Sequence, residues 1–173
     1  MSFPSRSTQR PTTDFLRETL FNLLGLPENQ SFLDLFAGSG SVGLEALSRK
    51  AGEVTFVEKS KVLIGVIREN VSSCGYSERC FIIHADIRSA LRGLHLKKRR
   101  FNVIFADPPY NQGFIGETLK ALKEYPVLQE EGGIIVLQHS TREQLVPLTD
   151  GWSMADQRKY GDNLLTFIRM GRA

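Results

Sequence analysis

The segment Phe32-Leu33-Asp34-Leu35-Phe36-Ala37-Gly38-Ser39-Gly40-Ser41-Val42-Gly43-Leu44-Glu45 constrains this chain more than any other. An apolar run of strand length breaks into a glycine-spaced turn, and the turn opens a pattern of helical period. Strand, loop and helix in that order form the first half of a βαβ unit, which calls for a parallel sheet. Gly38, Gly40 and Gly43 fit the G-x-G-x-x-G spacing, in which glycines permit a tight turn, backbone approach to a ligand and close packing of helix on strand. The helix entrance presents unpaired backbone N–H groups at the positive end of a dipole, a seat for a ligand carboxylate or phosphate. A Gly-rich turn that binds nothing has the same spacing, so this segment alone leaves both readings open.

Two later segments narrow the choice. Val54-Thr55-Phe56-Val57 runs into Glu58, about 20 positions beyond Gly38, where a second-strand carboxylate meets the two hydroxyls of a ribose. Phe101-Asn102-Val103-Ile104-Phe105-Ala106 then leads into Asp107-Pro108-Pro109-Tyr110. A nicotinamide oxidoreductase would leave that tetrapeptide idle, whereas methyl transfer to a planar amino group has a use for it. The lone pair of an exocyclic base amine is delocalised into its ring, so the nitrogen attacks only when acceptors draw on its N–H bonds. Asp107 offers a carboxylate, and Pro108 lacks an N–H and has fixed φ, so its carbonyl can be aimed at the same amine. Tyr110 supplies a face on which an extruded base can stack. The competing reading is a turn that closes a strand, with Tyr110 as rim packing.

Composition sets the bounds. With 173 residues, 41% of them hydrophobic, the sequence is read as one domain spanning 1–173, with residues 1–13 as an N-terminal arm made basic by Arg6 and Arg10. A net charge of +3 permits a nucleic-acid partner without requiring one. Cys74 and Cys80 have no metal spacing and suggest no disulfide framework, so both are expected as reduced thiols in a cytoplasmic protein. No signal-peptide core and no run of about 18 apolar residues is present, and no membrane partner is expected.

The apolar spacing predicts a helix from Asp14 to Leu24, stopped by Gly25 and Pro27, that covers an edge of the ligand cleft or packs on the sheet. Strands follow at Ser31–Phe36, Glu53–Val57, Cys80–Ala85, Phe101–Ala106 and Ile134–Leu137. Helices are expected over Ser41–Lys50, Lys61–Cys74 and Phe114–Glu124, with a short one at Arg142–Leu145. Asp86 and Ile87 would sit over the adenine end of a nucleoside, or Asp86 caps the next helix, or both. Lys97-Lys98-Arg99-Arg100 enters the fourth strand at the end remote from Asp107 and reads as a solvated loop. A closing hairpin, Trp152–Tyr160 and Leu164–Met170 around Gly161-Asp162-Asn163, puts one antiparallel strand into an otherwise parallel sheet. His139 is read as a satisfied strand-end residue or a polar group at the cleft rim.

Arg10-Pro11-Thr12-Thr13-Asp14, Arg17-Glu18-Thr19-Leu20-Phe21-Asn22, the Asp34 to Gly40 segment, Gly43-Leu44-Glu45-Ala46-Leu47-Ser48-Arg49 and Asp107-Pro108-Pro109-Tyr110 together resemble the RsmD family. The resemblance implies a Rossmann-like α/β fold with a mostly parallel seven-stranded sheet, and methyl transfer from S-adenosylmethionine, with no metal, to a guanine N2 of 16S ribosomal RNA. It implies a catalytic role for Asp107, Pro108, Pro109 and Tyr110. It also implies cofactor contacts by Asp34, Phe36, Gly38, Ser39, Gly40, Gly43, Glu58, Asp86 and Ile87, and substrate contacts by Arg10, Thr12, Arg17 and Tyr110. The expected partner is 16S RNA or an assembling small subunit, met by a monomer. Phe15 stands where the family commonly has arginine, and Gln138-His139-Ser140 where an acidic residue often follows the fifth strand. An amino-methyltransferase of DNA or another RNA shares the core motifs, and a nicotinamide oxidoreductase or a non-catalytic RNA-binding module are the readings from other classes.

Overall fold

A computed structural model describes residues 14–171, so Arg6, Arg10, Thr12 and the rest of the expected arm lie outside the described residues. Helix α1 (Asp14–Leu24) buries Leu16, Leu20 and Phe21. Strand β1 (Ser31–Leu35) and helix α2 (Ser41–Ser48) flank the Gly-rich loop. They are followed by β2 (Glu53–Glu58), α3 (Lys61–Ser73), β3 (Cys80–His84), α4 (Ile87–Leu96), β4 (Val103–Ala106) and α5 (Phe114–Glu124). The chain ends with β5 (Ile134–Ser140), β6 (Trp152–Tyr160) and β7 (Asn163–Met170).

The seven strands lie in the order β3-β2-β1-β4-β5-β7-β6. Strands β1 to β5 pair in parallel, and β7 runs antiparallel between β5 and β6. Strand order reverses between β1 and β4, and ligands of open α/β sheets bind where such a reversal opens a crevice at the strands' carboxyl ends. The Gly-rich loop leaves β1 there and the Asp107 turn leaves β4 beside it, with Leu35 in register with Ala106. The two motifs meet because the topology puts them on adjacent strands.

Alternation along the strands divides the core into two layers. Phe32, Phe56, Phe105, Val136 and Phe167 pack with Leu20 and Phe21 of α1, Val42 of α2 and Ile67 of α3. Leu35, Val57, Ile104, Leu137 and Ile168 pack with Leu91 of α4 and Leu119 of α5. The same alternation puts Asp34, Glu58 and Gln138 on the α1–α3 face at the carboxyl ends of β1, β2 and β5, and Asp107 follows on that face just past β4.

Two expectations need correction. The short helix at Arg142–Leu145 does not form, and the segment is a turn followed by irregular chain. A helix of one turn has no cooperative support, and Pro147 blocks continuation. Glu143 instead accepts backbone N–H groups from Asn111 (2.8 Å) and Ser140 (3.1 Å). Strand β5 extends past Leu137 to Ser140 because β7 continues the pairing, Gln138 with Leu165, His139 with Leu164 and Ser140 with Asn163. No apolar pattern marks that extension; a partner strand about 25 residues away creates it.

Candidate active site at the carboxyl edge of the sheet

The Gly-rich loop is held by buried side chains from three elements. The Asp34 carboxylate accepts the Gly43 N–H at 3.0 Å, and Glu58 Oε2 accepts the Gly38 N–H at 3.0 Å. Asn70 of α3 donates from Nδ2 to the Ser39 carbonyl at 3.0 Å. Gly40 caps α2 at φ +82, a conformation that favours glycine. At Gly43 an added Cβ would lie 2.3 Å from the Phe56 ring, so close packing of helix on strand fixes that glycine. Among the described residues nothing stands within 4 Å of a Cβ placed on Gly38. In the sequence Asn70 is one residue of the Lys61–Cys74 helix with no site role, because a lone asparagine in a helix carries no signal until its partner loop is known.

Burial sets the electrostatics of this corner. Desolvation is the main force pushing the Asp34 carboxyl up to about 8, helped by the negative Asp107 and Glu58 and opposed by the Gly43 N–H. Glu58 is also buried, and its Oε1 accepts the Ser60 N–H at 2.9 Å. A carboxylate has about four lone-pair sites, so these two bonds leave Glu58 able to accept from ligand hydroxyls.

Beside Glu58 lies a cavity of about 180 Å³. Phe36, Val57, Ile87 and Phe114 give it apolar walls, Glu58 and Asp86 also line it, and α5 contributes Thr118 and Ala121. Phe36 turns into the cavity at φ +59 and meets Phe114 edge to face, centroids 6.2 Å apart. Asp86 both lines the cavity and caps α4, accepting from the Ser89 N–H at 2.9 Å and the Ser89 hydroxyl at 2.7 Å. Those bonds hold its pKa below the ordinary carboxylate value. Lys59, Phe114, Thr118 and Ala121 were missed in the sequence; they reach the cavity through the turn after β2 and the packing of α5.

Pro109 reaches the cavity from the β4 side, so the Asp107-Pro108-Pro109-Tyr110 turn borders it. Tyr110 is clasped at its hydroxyl, which donates to Asn163 Oδ1 at 2.7 Å and accepts from Gln138 Nε2 at 3.2 Å. This clasp ties the turn after β4 to β5 and to the start of β7. Sequence reasoning missed Asn163 as a site residue, having placed it in the hairpin turn.

The remaining candidates are placed as follows. Arg17 pairs with Asp14 (2.8 Å) and Glu45 (3.6 Å), so a phosphate would have to share its guanidinium. In the basic run before β4, Arg99 pairs with Glu53 and lies over the rings of Phe81 and Phe101, at the end of the sheet away from Asp107. His139 is buried, with Nε2 2.8 Å from the Thr166 hydroxyl and Nδ1 3.2 Å from the Ser140 carbonyl, and burial lowers its pKa. It is a satisfied strand residue.

Comparison with known proteins identifies the family. The model of the family described as Conserved hypothetical protein 95 matches residues 1–169. Escherichia coli K12 ribosomal RNA small subunit methyltransferase D is 31% identical over 159 residues, covering 91% of this chain and 78% of that protein. A hypothetical protein of known structure from Thermus thermophilus superimposes with a TM-score of 0.82 at 31% identity, over 98% of this chain and 93% of that one. At 14% identity, an RNA methyltransferase from Salinibacter ruber solved with S-adenosyl-L-homocysteine shares the fold, with a TM-score of 0.74 and 95% of each chain covered. The arrangement is the Rossmann-like methyltransferase fold, and with a family model spanning nearly its whole length the chain belongs to the RsmD family.

Proposed function

We propose that this protein transfers a methyl group from S-adenosylmethionine to the exocyclic N2 of a guanine in small-subunit ribosomal RNA. The observation that carries this reading is the meeting, across β1 and β4, of the clamped Gly-rich loop with the Asp107-Pro108-Pro109-Tyr110 turn. The cavity fits the cofactor's nucleoside, since apolar walls suit an adenine ring and the Glu58 carboxylate that also lines it suits ribose hydroxyls. Phe36, Ile87 and Asp86 would hold the adenosine, Glu58 the ribose, and Asp34 with Gly38, Ser39, Gly40 and Gly43 the methionine part. When bound, S-adenosylmethionine supplies an electrophilic methyl on a sulfonium.

The protein's own residues then work on the acceptor. Asp107 and the Pro108 carbonyl accept the N–H bonds of the guanine amine, which orients the nitrogen and stabilises the positive charge that develops on it. Pro109 sets the turn that aims them, and Tyr110 offers a stacking face. A proton leaves the amine, and the Asp107 carboxylate receives it. The expected RNA contacts of Arg10 and Thr12 lie outside the described residues, and Arg17 belongs to the same proposed set. The substrate class comes from the name of the Escherichia coli relative, which says that it modifies small-subunit ribosomal RNA.

The test is to incubate the protein with labelled S-adenosylmethionine and small-subunit RNA, free and as particles, and map the modified base. Label on a guanine N2 is the expected result. Label on an adenine or on DNA alone, or tight binding of a nicotinamide dinucleotide with none of S-adenosylmethionine, would overturn the reading.

A further inference from the structure

We propose that Gln138 reads the target base: its side-chain carbonyl accepts the ring N1–H of the guanine whose N2 is methylated. This rests on the function proposed above and assigns a specificity-determining residue to it. Among the described residues, Gln138 Oε1 is the buried side-chain polar atom with no hydrogen-bond partner, in a side chain 3% exposed. A buried carbonyl left unpaired is costly, so such an atom at an active site points to a donor that arrives with the substrate.

The orientation of the amide follows from its neighbours. Tyr110 gives its hydroxyl proton to Asn163, so it has only lone pairs to offer Gln138. The amide therefore turns its NH2 group toward Tyr110 and its carbonyl away from it. Register decides what stands beside it. Leu137 pairs with Ala106, so the next residues, Gln138 and Asp107, leave neighbouring strands at the same level and on the same face. Parallel strands lie about 5 Å apart, which puts two acceptors side by side.

Guanine is the base that matches such a pair. Its N1–H and N2–H₂ are adjacent donors, whereas adenine and cytosine put a ring acceptor beside their amino group. With Asp107 on the amine and Gln138 on N1–H, a guanine presents a donor to each of them and satisfies the Gln138 carbonyl. An adenine or a cytosine would turn a lone pair toward the Gln138 carbonyl. Specificity then comes from a buried polar group that only the correct substrate can pair.

The experiment uses the full chain and an RNA fragment containing the mapped guanine, or 2,6-diaminopurine at that position. Diaminopurine keeps the 2-amino group but has a lone pair at N1. We expect wild type to favour guanine in kcat/KM by roughly 10- to 100-fold. Gln138→Leu should lower the guanine value by about that factor more than the diaminopurine value, because the loss of the Nε2 bond to Tyr110 is common to both substrates and the loss of the carbonyl is not. Equal losses on both substrates would mean that Gln138 only positions Tyr110, and would overturn the proposal. Wild type treating both bases alike would overturn it even if the variant failed to fold. No transfer to guanine by wild type would instead count against the proposed function.

Discussion

The two sides of the sheet's carboxyl edge use their polar side chains differently. On the β1–β3 side, Asp34, Glu58 and Asn70 each bond to backbone of the Gly-rich loop, at 3.0 Å. On the β4–β7 side, Tyr110, Gln138 and Asn163 bond to one another through side chains, across segments up to 53 residues apart. That second set leaves a carbonyl without a partner. Main-chain atoms tied down from three elements make a rigid cradle, suited to one ligand that never varies. Side-chain clasps between distant segments tie the turn after β4 to β5 and β7, the side on which the proposed base would enter. The β1–β3 side directs its side chains at backbone, and the β4–β7 side leaves Gln138 Oε1 for the proposed substrate.

The most severe way to break the substrate side alone is Asp107→Ala. Single-turnover transfer should fall by roughly 10²- to 10³-fold while cofactor affinity stays within a few fold, because the lost acceptor acts chiefly in the transition state. If Asp107 only shaped a turn, the folded variant would transfer methyl at a near-normal rate and show a lowered unfolding temperature. Measuring unfolding, cofactor affinity and transfer on one sample separates the two.

Glu58→Ala should break the other side. It removes the acceptor for the Gly38 and Ser60 N–H groups and for the proposed ribose hydroxyls, so cofactor affinity should fall by about 10- to 100-fold. RNA affinity should be unchanged, since Glu58 bonds to the Gly38 and Ser60 N–H groups whereas Asn163 and Gln138 hold the Tyr110 hydroxyl. Titrating both ligands checks this, and parallel losses would show that the two sides do not act independently.

The same contrast explains what was legible in the sequence. The β1–β3 side has the layout expected from the sequence because its signals are contiguous: a Gly-spaced turn after an apolar run, a carboxylate at the next strand end, and an Asp that caps its own helix. The Phe114–Glu124 helix, capped by Gly113, was likewise bounded by local signals. On the substrate side only the Asp107-Pro108-Pro109-Tyr110 turn is a local word. Gln138 acquires meaning from the register of β5 against β4 and from a phenol proton given to Asn163, and neither exists before the chain folds. The Arg142–Leu145 helix failed for the same reason, since Glu143 found backbone partners at Asn111 and Ser140 that local periodicity cannot show.

The smallest expected effect on turnover tests whether the β1–β3 side is as self-contained as its geometry implies. Burial raises the Asp34 carboxyl from 3.8 to about 8, so between those values the folded protein holds a proton that the unfolded chain has released. Its contribution to stability is therefore full below pH 3.8 and is lost as pH rises through about 8, with a slope of at most about 1.4 kcal/mol per pH unit. Asp34→Asn keeps an oxygen for the Gly43 N–H and removes the titration, so it should flatten this part of the stability profile and unfold at a higher temperature than wild type above pH 8. Cofactor binding sharpens the test. If an ammonium group comes to Asp34, it favours the carboxylate, and binding at pH 7 should release up to about one proton. Calorimetry in two buffers of different ionisation enthalpy reads that number directly. Release in wild type and none in Asp34→Asn would show that the carboxyl serves both the loop and the ligand. No exchange in either protein would leave Asp34 a buried acid that only holds Gly43 in place, and the cofactor's amino group would need another partner.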